Sequence, residues 1–224
     1  MPNRPTAIGA VIFDLDGVLL DSETAWVEVK KQFTEESGGH WKESARLDML
    51  GMSSTEWSRY MHDELGVPVS PERISSEVAD RLVGRYRQRL PLLPGAVGTV
   101  RELARNWPLG LASSSNRNVI DLAVAEAGLA DAFRVTVSSE EVERGKPAPD
   151  VYLEAARQLA IEPTACAAIE DSTNGIRSAH AAQMAVIAVP NPDFPPDPEA
   201  LSLAELTLGS LEELTPQRVR ALSA

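Results

Sequence analysis

Apolar residues are unevenly spread along the chain. Residues 7–13 form a short, almost unbroken apolar run that stops at two acids and a glycine, which predicts a strand buried on both faces. Residues 21–91 change character. They are polar, helix-patterned and hold most of the aromatic residues, with breaks at Ser37-Gly38-Gly39 and Gly66-Val67-Pro68 that predict several short-linked helices. From residue 92 onward, helical and apolar segments alternate. Helices are expected over 97–106, 119–127, 151–159 and 175–182, and strands over 108–112, 133–137, 165–169 and 186–189. Residues 190–198 are proline-rich and predict a surface loop.

Such alternation predicts an α/β fold: a doubly wound, Rossmann-like parallel sheet with helices on both faces. The core is then 1–20 plus 92–224. Residues 21–91 become a small all-helical cap inserted after the first strand. A chain of 224 residues is long enough for such a core and insertion.

Charge and cysteine usage narrow the function. The net charge of −12 argues against nucleic acid or an anionic membrane as partner, since either needs a basic face. The single cysteine, Cys166, allows no intrachain disulfide, and its apolar neighbours favour a structural thiol over a reactive one. Residues 1–6 lack the apolar run of a signal peptide and no segment approaches the length of a membrane span, so cytoplasm is the expected compartment.

In open parallel sheets, ligands bind beyond the carboxyl ends of the strands. Four polar clusters fall there: Asp14, Asp16, Gly17 and Asp21; Ser113 to Asn116; Lys146 to Asp150; and Glu170, Asp171 and Ser172. Two like charges 4 Å apart repel by about 4 kcal/mol at an effective dielectric near 20. Gathering Asp14, Asp16, Glu170 and Asp171 therefore calls for protonation or a hard divalent cation, and magnesium suits oxygen ligands completed by a phosphate. The plain alternative is that these acids cap helices or sit in solvated turns, a role that fits Ser172 and Asp150.

Lys146 is one of only four lysines, the other three lying in the helical segment. Its ammonium suits a phosphate oxygen, as do the Ser113 hydroxyl and the Ser114 amide; an ordinary surface lysine and a plain serine loop are the competing readings. None of the three histidines accompanies the serines, and no Gly-x-Ser-x-Gly elbow is present, which argues against a serine hydrolase.

The run Ile12-Phe13-Asp14-Leu15-Asp16-Gly17-Val18 resembles the first signature of the haloacid dehalogenase superfamily. Ser113 resembles its second motif, Lys146 in Gly-Lys-Pro-Ala-Pro-Asp its third, and Glu170-Asp171-Ser172-Thr173-Asn174-Gly175 its fourth. The helical insertion is similar to the cap of the subgroup that includes β-phosphoglucomutase and phosphoglycolate phosphatase. The resemblance implies a magnesium-dependent phosphatase acting on a small phosphorylated metabolite, a sugar phosphate foremost; separately, a monomer or weak homodimer is expected. Asp14 would be the nucleophile and Asp16 the general acid and base. Magnesium would be held by Asp14, the Asp16 carbonyl and Asp171, with Glu170 a further or outer ligand. Ser113, Ser114 and Lys146 would grip the phosphoryl oxygens.

The departures matter too. Asp16 stands where the family's dehalogenases lack an acid. Trp26 and Ser54 stand where its mutases carry a histidine and an arginine, which disfavours the phosphosugar mutase alternative. Gln183 replaces a usual glycine without expected consequence. A non-catalytic binding member of the fold would have no use for Asp16. The turn from Gly51 to Ser54, with Glu23 and Trp26, is expected to read the substrate; Arg81 and Arg85 are candidates for a second anionic group.

Overall fold

A computed structural model describes residues 7–222. The strands are β1 (Ala10–Phe13), β2 (Leu109–Ser113), β3 (Phe133–Ser138), β4 (Cys166–Glu170), β5 (Ala185–Ala188) and β6 (Leu206–Thr207). They form one parallel sheet in the order β3-β2-β1-β4-β5-β6. This is the doubly wound arrangement expected from the alternation. The short β6 has no counterpart in the hydrophobic pattern, because two residues give no readable period. Residues 1–6, where a leader would be sought, lie outside the described residues. Among the described residues, no helix is long and apolar enough to cross a membrane.

Five helices lie between β1 and β2: α1 (Glu23–Glu36), α2 (Ala45–Asp48), α3 (Ser54–Asp63), α4 (Pro71–Gln88) and α5 (Ala96–Ala104). After β2 come α6 (Arg117–Glu126), α7 (Asp150–Leu159), α8 (Thr173–Ala181), α9 (Pro198–Leu201) and α10 (Pro216–Ala221). The chain leaves and re-enters the sheet layer through a narrow neck. Leu20 bridges Leu92, the Asp21 N–H donates to the Pro91 carbonyl at 2.8 Å, and the Leu93 N–H donates to the Leu19 carbonyl at 2.9 Å. Beyond that neck, α4 packs on α1 and α3, and it also touches α6.

Strand periodicity divides the interior. In β1, Val11 and Phe13 face a cluster shared with α5 and α6, while Ala10 and Ile12 face one shared with α7 and α8. Each fully buried side chain of this size contributes about 1.5–3 kcal/mol, so covering both faces fixes the strand's depth and register. Helix ends follow local chemistry. Ser53 and Glu56 form a reciprocal capping box that starts α3. Gln183, just past α8, has φ 64°, the left-handed conformation that explains why glycine is usual there. Cys166 is buried, and burial pushes its thiol up to about 12, as a structural role requires.

Candidate active site

Strands β1 and β4 are neighbours at the point where the sheet order reverses, and ligand sites form there. Asp14 follows β1 directly and stays stitched to β4, its N–H donating to the Ile169 carbonyl at 3.0 Å. Asp171 follows β4. Carboxylate oxygens of Asp14, Glu170 and Asp171 lie within 4.8 Å of one another, and all three residues are buried.

Lys146 neutralises part of this charge. Its Nζ donates to Asp14 Oδ1 at 2.8 Å, to Glu170 Oε1 at 2.6 Å and to the Ala112 carbonyl at 3.1 Å. The Tyr152 hydroxyl lies 3.5 Å away as well, so four acceptors share the three donors of the ammonium. Read from the sequence as a group that grips phosphoryl oxygens, this amine also bonds Asp14 directly, because a buried cation seeks the nearest anions.

Glu170 is the hub of the network. Its Oε1 also accepts from the Tyr152 hydroxyl at 2.8 Å, and its Oε2 accepts from the Asp171 and Ser172 N–H groups at 3.1 and 3.3 Å. With both oxygens so engaged, Glu170 is placed to hold Lys146 rather than to face the cavity. A Cβ on Gly175 would fall 1.8 Å from Glu170 Oε1, so only glycine lets the helix start this close to the carboxylate.

The electrostatics follow. Burial raises the Asp14 carboxyl to about 7, opposed by Lys146 and reinforced by Glu170 and Asp16. Burial, then repulsion from Glu170 and Asp14, raises Asp171 well above the usual carboxylate range. Three buried acids around one ammonium make an oxygen-lined spot whose carboxyls keep protons unless a cation neutralises them. That donor set fits a hard divalent cation and suits neither a soft metal nor an anion alone.

Asp16 has a different setting. Its Oδ1 accepts from the Trp26 indole N–H at 3.1 Å, and its Oδ2 accepts from the Ser115 hydroxyl at 2.5 Å. The backbone turns at Gly17, with φ 76°, and a Cβ there would lie 1.9 Å from Asp171 Oδ2. Asp16 thereby faces the same cavity as Asp14, Lys146 and Asp171, a space of about 290 Å³.

The serine loop divides its labour. Ser114 lines the cavity. Ser113 is fully buried and is not among the lining residues; its Oγ accepts from the Ser115 N–H at 3.0 Å, which shapes the loop. Gly51 and Met52 of the 51–54 turn, with Glu23 and Trp26, also line the cavity. Ser54 does not; its hydroxyl is 3.5 Å from Glu140 Oε1. Arg81 and Arg85 also stand apart. They pair with Glu36 and Glu28, each at 2.6 Å, on the outer surface, where solvated carboxylates were nearer than the cavity.

Some lining residues escaped the sequence reading. The 190–198 segment is not simply a surface loop: Phe194, Pro195 and Pro196 form part of the cavity wall, and Arg46 stacks on Phe194 at 4.6 Å. No periodicity announces such a loop. Lys30 also lines the cavity, and there a signal existed, since positions 23, 26 and 30 share one helical face. Ser115 and Tyr152 carried no signal beyond their neighbourhood.

Several known proteins resemble this chain in sequence and fold. The profile of the haloacid dehalogenase-like hydrolase family matches residues 11–189. Hexitol phosphatase B of Escherichia coli (strain K12) is 33% identical, over 95% of this chain and 97% of its own length. The crystal structure of CbbY from Rhodobacter sphaeroides, in complex with phosphate, superposes with a TM-score of 0.82 at 25% identity, covering 92% of this chain and 96% of that one. The β-phosphoglucomutase of Clostridium difficile shares the fold, with a TM-score of 0.83 at 23% identity over 96% and 97% of the two chains.

Proposed function

The chain belongs to the haloacid dehalogenase-like hydrolase family, and on that premise we propose that it is a phosphatase that hydrolyses a small phosphorylated metabolite, a sugar phosphate foremost, through an aspartyl-phosphate on Asp14. The observation that carries this reading is the convergence of Asp14, Asp171 and Lys146 at the sheet's reversal point, with Asp16 facing the same cavity.

In the proposed reaction, a carboxylate oxygen of Asp14 bonds to phosphorus as the ester P–O bond breaks. The departing alkoxide takes a proton from Asp16. That carboxylate then takes a proton from water, whose oxygen attacks phosphorus and releases Asp14. Trp26 and Ser115 aim Asp16 by donating to its two oxygens. Lys146 holds Asp14 in place and offers charge to the phosphoryl oxygens, with Ser114 beside it. Asp14, the Asp16 carbonyl and Asp171 would hold magnesium, which supplies charge neutralisation for the phosphoryl group, with Glu170 as an outer support. Residues 21–91 serve as the cap over the site, reached through the Leu20–Leu92 neck.

Release of phosphate from p-nitrophenyl phosphate with magnesium, abolished by chelation, is the expected result. No turnover of any small phosphoester would end the proposal. The mutase alternative would convert a hexose 1-phosphate to the 6-phosphate with little free phosphate; Trp26, bonded to Asp16 where mutases carry a histidine, disfavours that outcome.

A further inference from the structure

The cavity wall formed by α1 and α3 contains an ammonium that the proposed chemistry leaves unused. Lys30 is buried, with its Nζ 5.1 Å from the centroid of the Trp26 ring and 4.9 Å from that of Trp57. The two rings meet at 55°, their centroids 5.9 Å apart. Among the described residues, Lys30 Nζ makes no hydrogen bond and no ion pair; aromatic faces are its company. Glu23, about two turns earlier on the same face of α1, lines the same cavity and is likewise without a side-chain hydrogen bond or ion pair among the described residues.

Both groups are held against their own solvation. Burial pushes the lysine down to about 8, against the pull of Glu23 and Asp16, and burial pushes the Glu23 carboxyl up. A lysine kept out of water usually finds an acceptor within the fold. Here the acceptor and the donor are both left open to the cavity, a disposition that a ligand bearing hydroxyl groups would complete.

The pair also says what kind of ligand. One ammonium and one carboxylate sum to no net charge, so this wall does not favour a second phosphate. Arg46 does not line the cavity and is engaged on Phe194 at its rim. A donor and an acceptor set beside two indole faces suit a chain of carbons carrying hydroxyls, whose C–H edges lie on aromatic surface while its oxygens bond at both ends.

We propose that Lys30 and Glu23, framed by Trp26 and Trp57, form the subsite for the uncharged, polyhydroxylated part of the substrate, with Lys30 as a specificity-determining residue. This rests on the phosphatase reading above and names the part of the substrate distal to the phosphate.

The test compares kcat/KM for a hexitol or hexose 6-phosphate with that for acetyl phosphate, which has no hydroxylated tail. In Lys30→Met the ratio of the two should fall at least tenfold, through KM for the sugar phosphate. Glu23→Ala should lower the same ratio, so that misfolding of one variant leaves the other to decide. A merely structural Lys30 would lower both values by one factor; that result, or an unchanged ratio, overturns the subsite while leaving the phosphatase standing. Preference of the wild type for a sugar bisphosphate, lost in Lys30→Met, would also overturn it, because the lysine would then read a second anion. A wild type that hydrolyses none of these esters would instead sink the phosphatase reading and the subsite with it.

Discussion

The indole N–H of Trp26 donates to Asp16 Oδ1 at 3.1 Å, so a residue of the first inserted helix holds the acid that follows the first strand. This bond reaches across the neck through which the helices join the sheet. It makes the aim of Asp16 depend on where α1 sits.

Trp26→Phe keeps an aromatic ring at the position and removes the donor. Leaving that acceptor without its donor costs about 1–3 kcal/mol, so kcat should fall by roughly 5- to 150-fold. KM for acetyl phosphate should change little. Steady-state kinetics on that substrate checks this, and an unchanged kcat would show that Trp26 does not aim the acid.

Gly17→Ala should be among the most damaging single-methyl changes. The new carbon would lie 1.9 Å from Asp171 Oδ2, at a φ of 76° that side chains rarely adopt. Asp171 must move or the turn must open, and left-handed strain alone costs on the order of 1–3 kcal/mol. Magnesium affinity, followed by titration calorimetry, should drop at least tenfold while the circular-dichroism spectrum stays that of a folded chain.

Lys146→Met leaves Asp14 and Glu170 buried without their shared cation. Breaking a buried pair from one side costs roughly 3–5 kcal/mol. Urea unfolding of the chelator-treated protein near neutral pH should show that loss, and a smaller one in acid, where the carboxyls are protonated. Phosphatase activity should vanish.

Metal and pH should be linked. Burial holds the Asp14 carboxyl up to about 7 in the folded chain, against an ordinary value of about 4, and burial raises Asp171 as well. Between those values the folded protein holds protons that the unfolded chain has lost. Without metal, stability is therefore fully present in acid and falls as pH rises from about 4 to about 7. A divalent cation needs the deprotonated acids, so its gain in Tm should be large at about pH 8 and small at about pH 5. Thermal melts with magnesium and with chelator measure both arms; a gain independent of pH would contradict the assignment.

The sheet and the main acids were legible because each strand is a compact apolar run that ends in polar residues. Asp14, Asp16 and Asp171 could be read from where the apolar runs stop. What stayed hidden depends on contacts between distant segments. Tyr152 lies mid-helix, and nothing local reveals that its hydroxyl reaches Glu170. Ser115 is one serine among three until the fold brings it to Asp16. The 190–198 loop was read only by its prolines, although Phe194 helps to enclose the cavity. Lys146 is readable as a candidate from its rarity, but residue spacing cannot show which anion a buried amine will take, and only the fold brings it to Asp14. Arg81 and Arg85 carried suitable charge on suitable helices, and only the packing shows Glu36 and Glu28 taking them instead.

The central claim is that the phosphoryl group passes through Asp14. Rapid acid quenching of the Asp16→Asn variant after mixing with magnesium and acetyl phosphate, followed by peptide mass spectrometry, tests it most directly. The account predicts one phosphoryl adduct, on Asp14, absent from Asp14→Asn. An adduct on any other residue, or phosphate release from the wild type undiminished by Asp14→Asn, would contradict it.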